Sequence, residues 1–95
     1  YLENRDPARG TELGVDLNVR PAWALALGQG ITVAVADSGI ELTHPDLVDA
    51  VQGAPHFNFS TGLPDGSPSR RTSSGAHGTS VAGLIGATAG NGVGM

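Results

Sequence analysis

The sequence has no cysteine, no lysine and few aromatic residues. Without cysteine the chain can form neither a disulfide bond nor a thiolate site. All five basic residues are arginines, and nine aspartates and glutamates bring the net charge to −4. Because there is no stripe of positive charge, we do not expect nucleic acid to be the main partner. An aromatic content of 4% with 15 glycines favours close backbone packing over an aromatic-rich core.

Long apolar runs are also missing. No run approaches the roughly 20 residues that a membrane-spanning helix needs, and no signal segment is visible. The chain begins at Tyr1 without an initiator methionine and stops at Met95 inside a glycine-rich segment. We therefore expect residues 1–95 to be part of a larger domain that is truncated at both ends.

Four segments have patterns typical of regular structure. Asn18 can cap a helix that runs to about position 27. Residues 31–36 (ITVAVA) form a short apolar run rich in β-branched residues, which indicates a strand covered on both faces. A second strand is predicted at 56–59, and a helix is predicted from His77 to about Ala89. The order helix, strand, strand, helix indicates an α/β chain with helices on the faces of an open sheet.

The predicted C-terminal helix is apolar or small on every side. Val81, Leu84 and Ile85 follow helical spacing, and most other positions are alanine or glycine. A helix of this composition is usually buried. An interior glycine costs about 1 kcal/mol relative to alanine, so Gly83 and Gly86 indicate places where neighbouring backbones approach closely.

Asp37 follows directly after the apolar run, in the tripeptide Asp-Ser-Gly. Open α/β sheets place their functional groups at the carboxyl ends of strands, and a partly desolvated carboxylate there needs a partner. The same tripeptide is also ordinary turn chemistry. A catalytic carboxylate and a strand-ending turn are therefore both open at this point.

His77 stands at the predicted start of the C-terminal helix. A neutral imidazole is what a general base needs before reaction, and an aspartate partner would fix its tautomer. The alternative is a capping or solvent-facing histidine. His44, in a turn before proline, is interpreted as structural, and His56 has no partner that the sequence identifies.

The serines near these two residues are poor candidates for a nucleophile. Ser80 lies in the first turn of a helix predicted to be buried. Strand alternation would point Ser38 away from Asp37. Neither serine is surrounded by a glycine-rich elbow, so we do not expect the nucleophile among them.

Two motifs resemble those of the subtilases, the subtilisin-like and kexin-like serine endopeptidases of peptidase family S8. Residues 30–40 resemble the catalytic-aspartate segment, and the His-Pro-Asp-Leu run at 44–47 follows it as in that family. Residues 77–83 resemble the catalytic-histidine segment, which begins 40 positions after Asp37. Residues 16–23 are similar to the kexin branch in particular.

The resemblance implies a three-layer αβα sandwich around a mostly parallel sheet, with this chain as the N-terminal portion of the catalytic domain. It also implies peptide-bond hydrolysis through a Ser-His-Asp triad in which Asp37 orients His77. The nucleophilic serine and the oxyanion-hole asparagine would lie beyond Met95, so we predict that this chain alone is inactive. A polypeptide substrate, a possible propeptide and a secreted or cell-surface location are further expectations from the family.

The resemblance also implies a structural calcium site. Asp46 matches a carboxylate ligand of the family, and residues 88–95 resemble the loop that supplies carbonyl and asparagine oxygens. Oxygen-only coordination is what Ca²⁺ prefers. The expected ligands are Asp46, Thr88, Asn91, Val93 and Met95.

Two positions depart from the kexin branch. That branch carries a second aspartate after the catalytic one and a cysteine in the histidine segment, whereas this chain has Ser38 and Val81. Both residues are similar to those of bacterial subtilisins. The resemblance therefore does not extend to specificity for paired basic residues.

Three other functions fit parts of the sequence. Asp-Ser-Gly after an apolar strand is also typical of aspartic proteases, but these are all-β proteins and would leave the His-Gly-Thr-Ser segment unexplained. Gly28 and Gly30 hint at a nucleotide-binding loop, but they precede the apolar run instead of following it. The third alternative is a noncatalytic relative that keeps the subtilisin fold as a binding scaffold.

Overall fold

The computed structural model describes residues 15–68 and 76–92. It contains three helices in that part of the chain, α1 (Arg20–Trp23), α2 (Val48–Val51) and α3 (His77–Gly86). The chain divides into two units, Tyr1–Val33 and Ala34–Met95. Within the described residues, no helix has the length and apolar character that crossing a membrane would require.

The first unit contains α1, which is shorter than the predicted helix. The prediction that Asn18 caps it is wrong, because Asn18 has a φ of +46° and its N–H donates to Oδ1 of Asp16 at 2.7 Å. Val19 precedes the helix and makes no side-chain cap. The helix ends at Trp23, and Leu25 beyond it is 89% exposed. A short helix depends on packing for stability, and the apolar side chains of Leu25 and Leu27 after Trp23 are mostly exposed.

The described residues form no sheet, so the predicted three-layer αβα architecture is not seen in this part of the chain. Residues 31–36 are irregular. The second predicted strand, 56–59, contributes an isolated antiparallel bridge between Asn58 and Leu63. A strand in a parallel sheet is held by hydrogen bonds to its neighbours, and the described ranges supply no such neighbour. Both strand predictions are therefore wrong for the structure of this chain.

The bridge at Asn58 belongs to a tight reversal of the chain. The N–H of Asn58 donates to the carbonyl oxygen of Leu63 at 2.8 Å. Oδ1 of Asn58 accepts hydrogen bonds from the N–H groups of Ser60 and Thr61 at 2.9 and 3.2 Å. The reversal is thus held by backbone groups and the Asn58 amide, and Ser60 and Thr61 themselves are exposed.

The second unit carries α3, which confirms the predicted helix start at His77 but ends earlier than predicted. Ala87 is extended, with φ −65° and ψ 143°, so the helix stops at Gly86. The prediction of an all-round buried helix is wrong, because its buried residues are Gly78 and Ala82 alone. The close approach expected at Gly86 is also absent, since a Cβ there would meet nothing within 4 Å.

The buried residues of the described part lie in the second unit. Leu47 and Ala82 are the buried apolar side chains, and Asp46 is a buried carboxylate with 3% exposure. Leu47 directly precedes α2, and Ala82 is in the middle of α3. The segment after the Asp37 turn and the helix that begins with His77 thus each contain a buried apolar side chain.

Candidate active site

Asp37 and His77 meet in the second unit, although 40 positions separate them in the sequence. His77 is the first residue of α3, and Asp37 lies in a bend directly after residues 31–36. Nδ1 of His77 is 2.7 Å from Oδ2 of Asp37. The Asp37 side chain is 19% exposed and the His77 side chain 68%. The pair therefore joins a mostly covered carboxylate to an imidazole that is open to solvent.

Hydrogen bonds hold the Asp37 carboxylate in its charged form. Its Oδ1 accepts a bond from the backbone N–H of Ser38 at 2.6 Å. This bond lowers the pKa of Asp37 below its usual value of 3.8, desolvation opposes the shift, and the hydrogen bond with His77 lowers the pKa further. Asp37 is consequently ionised at neutral pH, and its oxygens can only accept hydrogen bonds.

The charge of Asp37 decides which nitrogen of His77 carries the proton. Because the carboxylate can only accept, Nδ1 of His77 must be the donor. In the neutral ring the free lone pair then belongs to Nε2. An exposed imidazole with a basic Nε2 and a fixed tautomer can take a proton from a neighbouring hydroxyl, as a general base does.

Two glycines allow close backbone contacts around the Asp37 turn. A Cβ on Gly78 would collide with the carbonyl oxygen of Gly39 and lie 3.1 Å from Cβ of Asp37. Gly39 has a φ of +104°, in the region that favours glycine, and a Cβ there would lie 2.7 Å from Cα of Pro68. A side chain at Gly78 would therefore push the start of α3 away from the Asp37 turn, and a side chain at Gly39 would push that turn away from Pro68.

Two hydroxyl groups join the same segments. The N–H of Gly78 donates to Oγ of Ser38 at 3.3 Å. The N–H of Glu41 donates to Oγ1 of Thr79 at 2.9 Å. Ser38 and Thr79 are thus part of the site, although the sequence motifs did not single them out for this role. The one feature of the sequence that could have identified them is that each lies within two residues of a predicted catalytic residue.

The serine hydroxyls of the two motifs are engaged within the scaffold. Oγ of Ser38 accepts the bond from Gly78. Oγ of Ser80 donates to the carbonyl oxygen of Ala76 at 3.2 Å, inside the first turn of α3. These contacts are typical of structural serines, so neither hydroxyl is arranged as a nucleophile.

The expected calcium ligands that the structure describes lie together at the other end of α3. Nδ2 of Asn91 donates to Oδ1 of the buried Asp46 at 2.7 Å. The N–H of Thr88 donates to the backbone carbonyl oxygen of Asp46 at 2.8 Å. Val93 and Met95 lie outside the described residues. Within 15–68 and 76–92, no group of three or more His, Cys, Asp or Glu side chains could hold a metal ion.

Residues 28–95 match the sequence model of the subtilase family. The chain belongs to the subtilase family. The matched range contains the Asp37 and His77 motifs as well as Asp46 and Asn91. The resemblance drawn from the two motifs is therefore confirmed.

The chain is similar to curated proteins from mammals and from a bacterium. The chain is 41% identical to neuroendocrine convertase 2 of Bos taurus over 98% of its own length. It is 46% identical to Aeromonas extracellular serine protease of Aeromonas sobria over 84% of its length, and 41% identical to furin of Rattus norvegicus over 82%. The matched regions are 15%, 12% and 10% of the lengths of these relatives. The chain thus spans a small part of each of them.

No solved structure matches the chain significantly. The site itself, however, argues against the aspartic-protease interpretation. The partner of Asp37 is an imidazole at a helix start, whereas an aspartic protease pairs two carboxylates. Family membership points the same way, since the described relatives include an enzyme named as a serine protease.

Replacing Gly78 by alanine should disrupt the site. The new Cβ would meet the carbonyl oxygen of Gly39, so the start of α3 must move and the Asp37–His77 contact must lengthen. A misplacement of about 1 Å can cost roughly 10²-fold in rate. We expect kcat/KM of the full-length protein to fall by about that factor, measured on a peptide substrate.

Gly86→Ala is the matched control for this experiment. A Cβ at Gly86 has open space, and alanine is favoured over glycine in a helix by about 1 kcal/mol. Activity should therefore be unchanged and the unfolding temperature slightly raised. If Gly78→Ala retained kcat/KM within twofold, the close approach would not matter for the site.

Acid should weaken the second unit through Asp37. Its pKa is lowered in the folded protein, so its stabilising effect is present above the unfolded pKa near 3.8 and is lost as pH falls through the folded value. The unfolding temperatures of the full-length protein and of its Asp37→Asn variant are measured from neutral to acidic pH. Below about pH 4 the unfolding temperature should fall less in the variant than in the wild type. Parallel curves over that range would contradict this prediction.

Proposed function

We propose that the protein carrying this chain is a serine endopeptidase that hydrolyses peptide bonds, with His77 as general base and Asp37 as its orienting carboxylate. The observation that carries the proposal is the 2.7 Å contact between Nδ1 of His77 and Oδ2 of Asp37. Family membership supports the reaction class. The lowered pKa of Asp37 supports its role as a permanent acceptor.

The proposed chemistry begins at Nε2 of His77. As a serine hydroxyl attacks the carbonyl carbon of the substrate, Nε2 takes the hydroxyl proton. The imidazolium formed is stabilised by the ionised Asp37, which accepts from Nδ1 throughout. The same proton then passes from Nε2 to the leaving amine. His77 next activates water to release the acyl group and restore the serine.

The nucleophile and the oxyanion donors are proposed to come from other parts of the protein. The described hydroxyls of Ser38 and Ser80 already serve the scaffold, and the chain spans 15% of the convertase it matches. The strand predicted at 31–36 is proposed to form when the neighbouring strands of the family's parallel sheet are present. On this proposal the 95 residues alone have no peptidase activity.

A serine-directed phosphonate probe tests the reaction class. The full-length protein should be labelled covalently at one serine and should lose activity, while an inhibitor of aspartic proteases should have no effect. Labelling should be lost after heat denaturation, and the isolated chain should not be labelled. Sensitivity to the aspartic inhibitor alone would overturn the proposal.

A noncatalytic binding scaffold is the competing function, and the same probe separates it. A scaffold without a nucleophile would bind polypeptide and remain unlabelled. The exposed, basic Nε2 of His77 favours catalysis, because a scaffold has no need for an imidazole with a fixed tautomer at its surface. Labelling at a stoichiometry near one would exclude the scaffold.

The substrate is proposed to be a polypeptide outside the cytoplasm. One relative is named an extracellular serine protease, which supports a secreted or cell-surface location. A propeptide that keeps the enzyme inactive before secretion is part of the same proposal. Specificity is left open between broad and dibasic cleavage, since Ser38 stands where kexin-like enzymes carry an aspartate.

A structural calcium ion is proposed at Asp46, Thr88 and Asn91, together with Val93 and Met95. The donor chemistry fits a hard cation, because the set offers one carboxylate, one amide oxygen and backbone carbonyls. The buried Asp46 and the Asn91 amide are already in contact at 2.7 Å. Bound calcium would tie the end of α3 to the segment before α2.

Asp46→Asn should reduce the stabilisation of the full-length protein by calcium. Calcium at about 100 times its Kd should stabilise the full-length protein by about 2.7 kcal/mol. The unfolding temperature of each protein is measured once with a chelator and once with excess calcium. The difference between these two temperatures should be smaller in Asp46→Asn than in the wild type. It should persist in the control Asp49→Asn, an exposed carboxylate on α2. An undiminished rise in Asp46→Asn would contradict the site.

A further inference from the structure

The start of α3 is capped from a distant segment. Ala76 precedes the helix and makes no side-chain cap, so the first N–H groups of α3 need other acceptors. Gly78 N–H finds one in Oγ of Ser38, 40 positions earlier in the chain. The residue that caps His77's helix is therefore the direct neighbour of Asp37.

A second hydroxyl group, on the helix itself, accepts a hydrogen bond from the Asp37 segment. Oγ1 of Thr79, the second residue after His77, accepts the N–H of Glu41 at 2.9 Å. The Asp37 segment and the start of α3 are thus joined at two points, with the acceptor on a different segment each time. Two separate attachments fix both the distance and the relative rotation of the segments, whereas one bond would leave a pivot.

These attachments matter because little else holds the His77 ring. Its side chain is 68% exposed, so packing does not restrain its orientation. The contact with Asp37 then depends on where the backbone of α3 starts. We propose that Ser38 and Thr79 are positioning residues that hold the helix start against the Asp37 turn and thereby set the Asp37–His77 contact. The proposal rests on the proposed function for its kinetic consequence.

Thr79→Val and Ser38→Ala test the proposal in the full-length protein. Thr79→Val removes one hydroxyl acceptor with little change in volume. Ser38→Ala removes the acceptor for Gly78 and also the side-chain hydrogen bond of Ser38 with Asp37, so Thr79→Val is the cleaner test. Because small misplacements can cost up to roughly 10²-fold in rate, we expect kcat to fall by about 10- to 100-fold with KM within twofold. The Nδ1 proton of His77, observed by NMR after ¹⁵N-histidine labelling, should lose its downfield position or exchange faster.

Conservative and matched variants separate positioning from general loss of stability. Thr79→Ser keeps the hydroxyl and should restore most of kcat and the Nδ1 proton signal. Thr61→Val and Ser60→Ala make the same chemical changes at exposed positions of the chain reversal between Asn58 and Leu63 and should change neither readout. Circular dichroism of each variant reports whether it is folded.

Kinetic and NMR results together decide the proposal. It would be overturned if folded Thr79→Val and Ser38→Ala kept both kcat and the Nδ1 proton signal, or if Thr79→Ser behaved like Thr79→Val. Failure of the proposed function has a different signature, namely a wild-type protein without peptidase activity or serine labelling. Even then the Nδ1 proton signal shows whether the two hydroxyls hold the Asp37–His77 contact.

Discussion

Replacing His77 by alanine should lower kcat of the full-length protein by about 10⁶-fold, the loss typical of removing the base from a triad. Without Nε2 the serine hydroxyl keeps its proton during attack, and the leaving amine has no proton donor. KM should change little, because the imidazole acts in the transition state and not in ground-state binding. Steady-state kinetics on a peptide substrate, with active-site titration of the wild type, measures the effect.

His56→Gln is the matched control for His77→Ala. His56 lies in the same unit, and its Nε2 donates to the carbonyl oxygen of Val51 at 3.3 Å. A glutamine amide can make the same donation, so activity should stay within about twofold of wild type. A comparable loss in both variants would indicate that histidine replacement unfolds the protein. A His77→Ala variant with a kcat near that of the wild type would contradict the assignment of His77 as general base.

Asp37→Asn should lower kcat by about 10⁴-fold. The asparagine amide can donate to Nδ1, which would place the ring proton on Nε2 and leave no base toward the serine. The geometry of the site need not change, because the amide has almost the shape of the carboxylate. The expected signature is thus a large kinetic loss with an intact fold, together with a change of the His77 tautomer in ¹⁵N NMR.

Asp49→Asn is the control for this substitution, since Asp49 is an exposed carboxylate on α2. Its kcat should equal that of the wild type. Asp37→Ala provides a second measurement, because alanine removes both the carboxylate and the donated amide. If Asp37→Asn kept activity within tenfold, or if the His77 tautomer did not change, Asp37 would not be the orienting carboxylate.

The motifs predicted the family and the pair of residues, but they did not predict the surrounding structure. Asp37 and His77 could be predicted because each stands in a short motif at a spacing typical of subtilases. The helix start at His77 was also predictable, since alanine, leucine and valine follow it at helical spacing. These are local properties of the chain, and local patterns do not depend on distant partners.

The strand and helix predictions failed where the structure depends on partners. Residues 31–36 have the composition of a buried parallel strand, yet they are irregular where the described chain supplies no adjacent strand. α1 stops at Trp23 because the apolar residues after it remain exposed. Strand propensity and helix propensity are weak without burial, so tertiary contacts decide both outcomes.

The sequence by itself determined the chemical identity of the site: a carboxylate in a turn and an imidazole at a helix start, in a subtilase. Only the tertiary structure decided that Oδ2 of Asp37 and Nδ1 of His77 come within 2.7 Å. It also decided that Gly78, Ser38 and Thr79 make that approach possible. The physical reason is that steric fit and hydrogen-bond direction between segments 40 positions apart depend on backbone positions, which no local pattern specifies.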